Sequence, residues 1–118
     1  MHTDEELMIE RYFDAFNRHV IDGVMACFTD DVVIIDTQGA RLEGHDAVRR
    51  HYDAGFAAVP DGRCTLEIMA AHDGRGVAES VFTGTLTNGQ GIRAMGAEVM
   101  EFADGRIKEI RDYHRPTT

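Results

Sequence analysis

Near the start of the chain, apolar residues recur at helical spacing. Met8, Tyr12 and Phe16 fall on one face, and Ile9, Phe13, Phe16 and Val20 widen it into an apolar stripe. Thr3 and Glu6 stand three apart just ahead of it, the spacing of a capping box, so a helix is predicted to run to about Arg18. A shorter helix fits Asp22 to Phe28, with Thr29-Asp30-Asp31 as its stop. Val32-Val33-Ile34-Ile35-Asp36 is mostly β-branched, too short for a helix, and reads as a buried strand. Gly44 to Phe56 gives a third helix, with Val48, Tyr52 and Phe56 on one face.

From Cys64 onward the pattern changes to strands. Cys64 to Ala71, Val77 to Gly84, Ile92 to Phe102 and Ile107 to Tyr113 are strand candidates, separated by short glycine-containing turns. Asn88-Gly89 and Asp104-Gly105 are strong hairpin signals. The order is helix, helix, strand, helix, then an antiparallel meander. That predicts an α+β fold, a curved antiparallel sheet with helices on one face. A sheet bent around helices leaves a cavity at its open end, a common place for a small-molecule site.

Composition narrows the picture. At 118 residues the chain has room for one core, so residues 1–118 are read as one domain. Twelve Lys and Arg against 21 Asp and Glu give a net charge of −9, which argues against nucleic acid or an anionic membrane as partner. No apolar run approaches the ~18 residues of a membrane span. The N-terminus Met1-His2-Thr3-Asp4-Glu5-Glu6 is acidic, so no signal peptide is expected. Cys27 and Cys64 make no CxxC pair and suit a reducing cytoplasm. The six histidines show no HxH or HExxH spacing, and neither a metal nor another cofactor is expected.

Candidate chemistry lies where a polar group occupies an apolar register. Tyr12 sits in the stripe of the first helix. Asp36 ends the apolar strand on the face of Val32 and Ile34, and Glu98 alternates with Met100 and Phe102. A buried carboxyl without a cationic partner has a raised pKa and serves as a base or as a neutral hydrogen-bond donor. With Asp36 as base, and Tyr12 and Glu98 facing the developing oxyanion, these groups suit proton abstraction beside a carbonyl. Asp112 and His114, two apart on the last strand, form a second acid–base pair. Structural alternatives stand beside each. Tyr12 also fits as a core aromatic, Asp36 as a turn cap, and Asp112 as an ion-pair partner of Arg93. A bulge after Gly96 would turn Glu98 outward, and His114 would fray if the strand end is loose. Phe16, Ile34, Tyr52, Phe56 and Met100, with His114, are the candidate substrate-binding residues.

The residues also carry a resemblance that spans nearly the whole chain. Tyr12-Phe13-Asp14-Ala15-Phe16-Asn17, Asp22-Gly23-Val24 followed by Phe28-Thr29-Asp30-Asp31-Val32, Ile35-Asp36 with Gly39, and Gly44 with Ala47-Val48-Arg49 and Tyr52 resemble the nuclear transport factor 2-like superfamily. Val99, Phe102 and Asp104-Gly105-Arg106-Ile107 extend the likeness, which is to the ketosteroid isomerase and SnoaL-like polyketide cyclase branches. It implies a cone-shaped sheet enclosing a pocket with three helices. In the isomerase pattern Tyr12 matches the phenol donor, Asp36 the base and Glu98 the acidic oxyanion donor. The chain departs from that pattern in having Glu98 for Asp, and Thr37 where Pro often follows the base. The SnoaL-like pattern places an acid–base pair on the sheet, which Asp112 and His114 match. Both branches imply a hydrophobic small-molecule substrate such as a steroid or polyketide. The alternatives are a SnoaL-like cyclase or dehydratase run by Asp112 and His114, and a non-catalytic small-molecule binding module. A homodimer is expected, because Val and Ile on both sheet faces need cover.

Overall fold

The computed structural model describes residues 1–117. Helix α1 spans Asp4–Asn17, α2 Ile21–Ala26 and α3 Gly44–Ala58. The strands are β1 Phe28–Ile35, β2 Arg41–Glu43, β3 Arg63–His72, β4 Arg75–Thr85, β5 Gly91–Ala103, β6 Arg106–Asp112 and β7 Arg115–Pro116. Thr3 caps α1 as its spacing requires: its hydroxyl accepts from the Glu6 amide (3.1 Å), and its own amide donates to the Glu6 carboxylate (2.8 Å). Ile9, Tyr12, Phe13 and Ala15 form the buried face of α1, which packs across β3.

The strands form one curved, unclosed sheet in the order β2-β1-β6-β5-β4-β3, with β7 paired to β5. It is mixed, where an antiparallel sheet was expected: β1 runs parallel to β6, with Ile34 opposite Ile110. Apolar alternation fixes which face a side chain occupies but carries no information about the direction of a neighbour 76 residues away. Two short strands were absent from the sequence reading. β2 has three residues, and β7 has two, one of them a proline at a sheet edge. Two boundaries also differ. The helix expected over Asp22 to Phe28 is α2, ending at Ala26, and Thr29-Asp30-Asp31 belongs to β1 rather than stopping a helix. At its other end β1 stops at Ile35, leaving Asp36 in the following turn.

Asp104-Gly105 and Asp73-Gly74 both have positive φ at both positions, the backbone of a tight two-residue hairpin. The core lies between the helices and the concave face, where Phe28, Met100, Ile107 and Ile110 are buried. Among the described residues, no helix is long and apolar enough to cross a membrane.

Candidate active site

A cavity of about 340 Å³ opens between α1, α3 and the concave face of the sheet. Its wall is largely aromatic. Tyr12 and Phe16 enter from α1, Tyr52 and Phe56 from α3, and Phe82 from β4, in edge-on and tilted contacts around Phe16 and Tyr52. His19 stacks on Phe56 at 4.4 Å, and its Nε2–H donates to the Gly62 carbonyl (2.8 Å).

One patch of the wall is polar. Four strand-borne side chains and His114, two residues beyond the end of β6, meet there. Ser80 of β4, fully buried, is the hub: its hydroxyl donates to Glu98 Oε1 (2.9 Å) and accepts from the Cys64 thiol (3.2 Å). His114 Nε2 lies 2.9 Å from the same oxygen, and its Nδ1 lies 2.7 Å from Asp112 Oδ1. The hydroxyl hydrogen is already given to Glu98, so Nε2 acts as a donor and the ring carries both protons. Asp112, Glu98 and Ser80 lie on neighbouring strands, with Glu98 directly opposite Asp112 in the ladder.

That environment sets the charges. Burial raises the Glu98 carboxyl and the facing Asp112 raises it further, against the opposing pull of His114 and Ser80; its pKa is pushed up to about 7. Burial works against charge on His114, but the hydrogen bond to Asp112, the contact with Cys64 and the fields of Asp112 and Glu98 prevail and push it up to about 10. At neutral pH the patch therefore holds an imidazolium paired with Asp112, beside a carboxyl poised between its two states. Glu98 Oε2 makes no hydrogen bond among the described residues, and Glu98 lines the cavity.

Asp112, His114 and Ser80 have the connectivity of a nucleophilic triad. Ser80 does not line the cavity, however, and its proton is committed to Glu98. It ties Glu98 to His114 and is not placed to attack a ligand.

A second polar feature is the pair of phenols. The Tyr12 and Tyr52 hydroxyls lie 2.6 Å apart, so one donates to the other. The remaining O–H hydrogen has no acceptor among the described residues, and both rings line the cavity. Burial raises both phenols far above the ordinary tyrosine range, so they stay neutral donors.

The residues singled out in the sequence divide clearly. Tyr12, Glu98, Asp112 and His114 line the cavity, with Phe16, Ile34, Tyr52 and Phe56. Asp36 does not. Its Oδ1 accepts from the amides of Gln38 and Ala40, both at 2.9 Å, which is an Asx turn, and those bonds hold its carboxyl below the usual range. A base needs a free carboxylate near the substrate, and Asp36 offers neither. Met100 is fully buried in the core instead of lining the cavity. Asp112 pairs with His114, whereas Arg93 bonds Thr117. His114 is not frayed, because the Tyr113 amide bonds Ala97 and β7 is paired beyond it. Ser80 and the placement of Cys64 were missed. Ser80 alternates inward with Ala78 and Phe82, and a hydroxyl at that register was the available signal.

The profile of the SnoaL-like domain matches residues 9–110, and the chain belongs to that family, within the nuclear transport factor 2-like superfamily. Solved structures agree. A proposed polyketide cyclase from Xanthomonas campestris pv. campestris is 25% identical with a TM-score of 0.80, over 92% of this chain and 87% of that one. RV0760c from Mycobacterium tuberculosis, in complex with estradiol-17beta-hemisuccinate, is 20% identical with a TM-score of 0.84, over 95% and 94%. An LEH-like epoxide hydrolase from M. tuberculosis is 20% identical with a TM-score of 0.83, over 97% and 84%. No curated protein matches the sequence.

Proposed function

We propose that this chain is an acid–base enzyme acting on a hydrophobic, carbonyl-bearing small molecule of steroid or polyketide type, moving a proton at the carbon beside the carbonyl. The observation that carries this reading is the buried Glu98, poised near neutrality with Oε2 free toward an aromatic cavity. In the ionised state Glu98 takes the α-proton, and the electron pair moves onto the carbonyl oxygen. The free O–H of the Tyr12–Tyr52 pair donates to that oxygen as charge develops. Glu98 then returns the proton to the γ-carbon of a conjugated dienolate, which accounts for isomerisation, or the enolate carbon attacks a second carbonyl and the alkoxide so formed takes the proton from Glu98, which accounts for cyclisation. Asp112 and His114 hold a fixed ion pair beside Glu98 that keeps its pKa in the working range. The chemistry needs no cofactor.

The test is solvent deuterium exchange at the α-carbon, followed by proton NMR across a panel of hydrophobic ketones. Exchange with a wild-type rate, lost in Glu98→Gln and reduced about 10²- to 10³-fold in Tyr12→Phe, is the expected result. Exchange that survives Glu98→Gln would overturn the mechanism. Tight ketone binding without exchange would make the cavity a carrier site.

Two further assignments belong to this proposal. Ile68, Val77 and Met95 are exposed on the outer face of the sheet, and a second copy of the chain would cover them. Light scattering should give a dimer mass that Val77→Asp with Met95→Glu reduces to that of a monomer. Cys27 and Cys64 are both free and buried, which supports a cytoplasmic location.

A further inference from the structure

The hub around Ser80 has a geometry beyond hydrogen bonding. Cys64, Glu98 and His114 each bring one donor atom into a group whose members lie within 4.8 Å of one another. Ser80 Oγ lies 3.2, 2.9 and 2.9 Å from the three, so one sulfur, one nitrogen and two oxygens are gathered in one cluster. Donors 2.0 to 2.3 Å from a tetrahedral ion are roughly 3.3 to 3.7 Å apart, so side-chain movements on the order of 1 Å would close the set around an ion. His114 is oriented as metal-bound histidines are: Nδ1 is held by a carboxylate, that of Asp112, which aims Nε2 at the hub. The mixed S, N, O set suits a borderline-soft ion better than magnesium or calcium. Cys64, Glu98 and His114 also line the cavity, so the ion would face ligand space.

We infer that Cys64, Glu98 and His114, with the Ser80 hydroxyl, bind a divalent ion of the zinc class, and that Asp112 positions His114 for it. On binding, the ion replaces the thiol proton, the proton on His114 Nε2 and any proton carried by Glu98, and all of these leave to solvent. The thiolate and the Glu98 carboxylate then balance the two positive charges. This inference stands on four side chains and does not depend on the acid–base reading. An ion bound there would occupy Glu98 and His114 and silence the proton transfer proposed above.

The test uses reduced, chelator-treated protein titrated anaerobically with Co²⁺. Binding should produce a thiolate-to-cobalt charge-transfer band in the near ultraviolet, saturating at one ion per chain and removed by Zn²⁺. Cys64→Ser should abolish the band with an unchanged circular dichroism spectrum, and Cys27→Ala should keep it. Asp112→Asn should weaken binding roughly 10- to 100-fold. No charge-transfer band in the wild type at excess Co²⁺ would overturn the proposal, as would a band that persists in Cys64→Ser. These outcomes are read without turnover, so they remain decisive if no ketone proves to be a substrate.

Discussion

Gly96 lies directly beneath His114: a Cβ placed on Gly96 would come within 2.6 Å of the His114 Cα and 2.5 Å of the Tyr113 carbonyl oxygen. Those neighbours are backbone, so no rotamer change relieves the overlap. The chain after β6 crosses β5 at the one residue that leaves room for it, and the crossing sets the height of the imidazole over Ser80. Gly96→Ala should lift residues 113–114 and break the His114 bond to Ser80. Overpacking of this kind costs about 1–3 kcal/mol, readable as a lower urea midpoint. The carboxyl of Glu98, relieved of its nearby cation, should titrate higher than in the wild type. A carbon-13 NMR titration reads that shift and separates it from general loosening.

Ser80→Ala removes the donor to Glu98 Oε1 and leaves the Cys64 thiol and His114 Nε2 without their acceptor. Each buried polar group left unpaired costs about 1–3 kcal/mol, so the loss of stability should exceed that of a surface serine. The Ser80 hydrogen bond favours the charged carboxylate, so the Glu98 pKa should rise above about 7. An unchanged Glu98 titration in a folded variant would remove Ser80 from any role in tuning the site.

Stability should fall as pH rises, in two stages. Glu98 is raised from 4.5 to about 7 on folding, so its contribution is fully present below 4.5 and is lost as pH rises through about 7. His114 is raised from 6.5 to about 10, so its contribution is fully present below 6.5 and is lost through about 10. Urea unfolding across that range should show both slopes. Glu98→Gln should flatten the acidic stage, and His114→Gln the alkaline one.

Asp36→Asn should leave α-proton exchange unchanged. The amide oxygen of Asn still accepts from Gln38 and Ala40, so the turn is kept as well. Asp36→Ala, which removes the acceptor of both amide bonds in an exposed turn, should cost about 1 kcal/mol in stability and nothing in rate. A large rate loss in Asp36→Asn would return the base to that position.

The contrast between Asp36 and Glu98 shows where a sequence can be read. Both stand in an apolar alternation, but Glu98 has buried Met100 and Phe102 after it, on a strand that continues to Ala103. The ladder also shifts register only between Glu101 and Phe102, leaving Glu98 paired with Asp112. Asp36 is the last of its run, where the side chain finds nearby amides and local turn chemistry prevails over periodicity. The capping box of α1 and the Asp-Gly hairpin were legible because each is written within a few residues. The parallel β1–β6 pairing and the His114–Ser80 contact join segments far apart in the chain, and no local pattern specifies them.

Cys64, Ser80 and Glu98 come from successive strands, each offset by two residues from the register partner of the one before, and His114 follows two residues after Asp112, so the four form a diagonal across the sheet. Hairpins can lengthen at their tips without moving any member of that diagonal. A single residue gained or lost within a strand would turn every later member to the outer face unless a bulge absorbed it. The site therefore tolerates change at the rim of the sheet and resists it across the middle, so descendants of this chain should differ in loop length long before they differ in register.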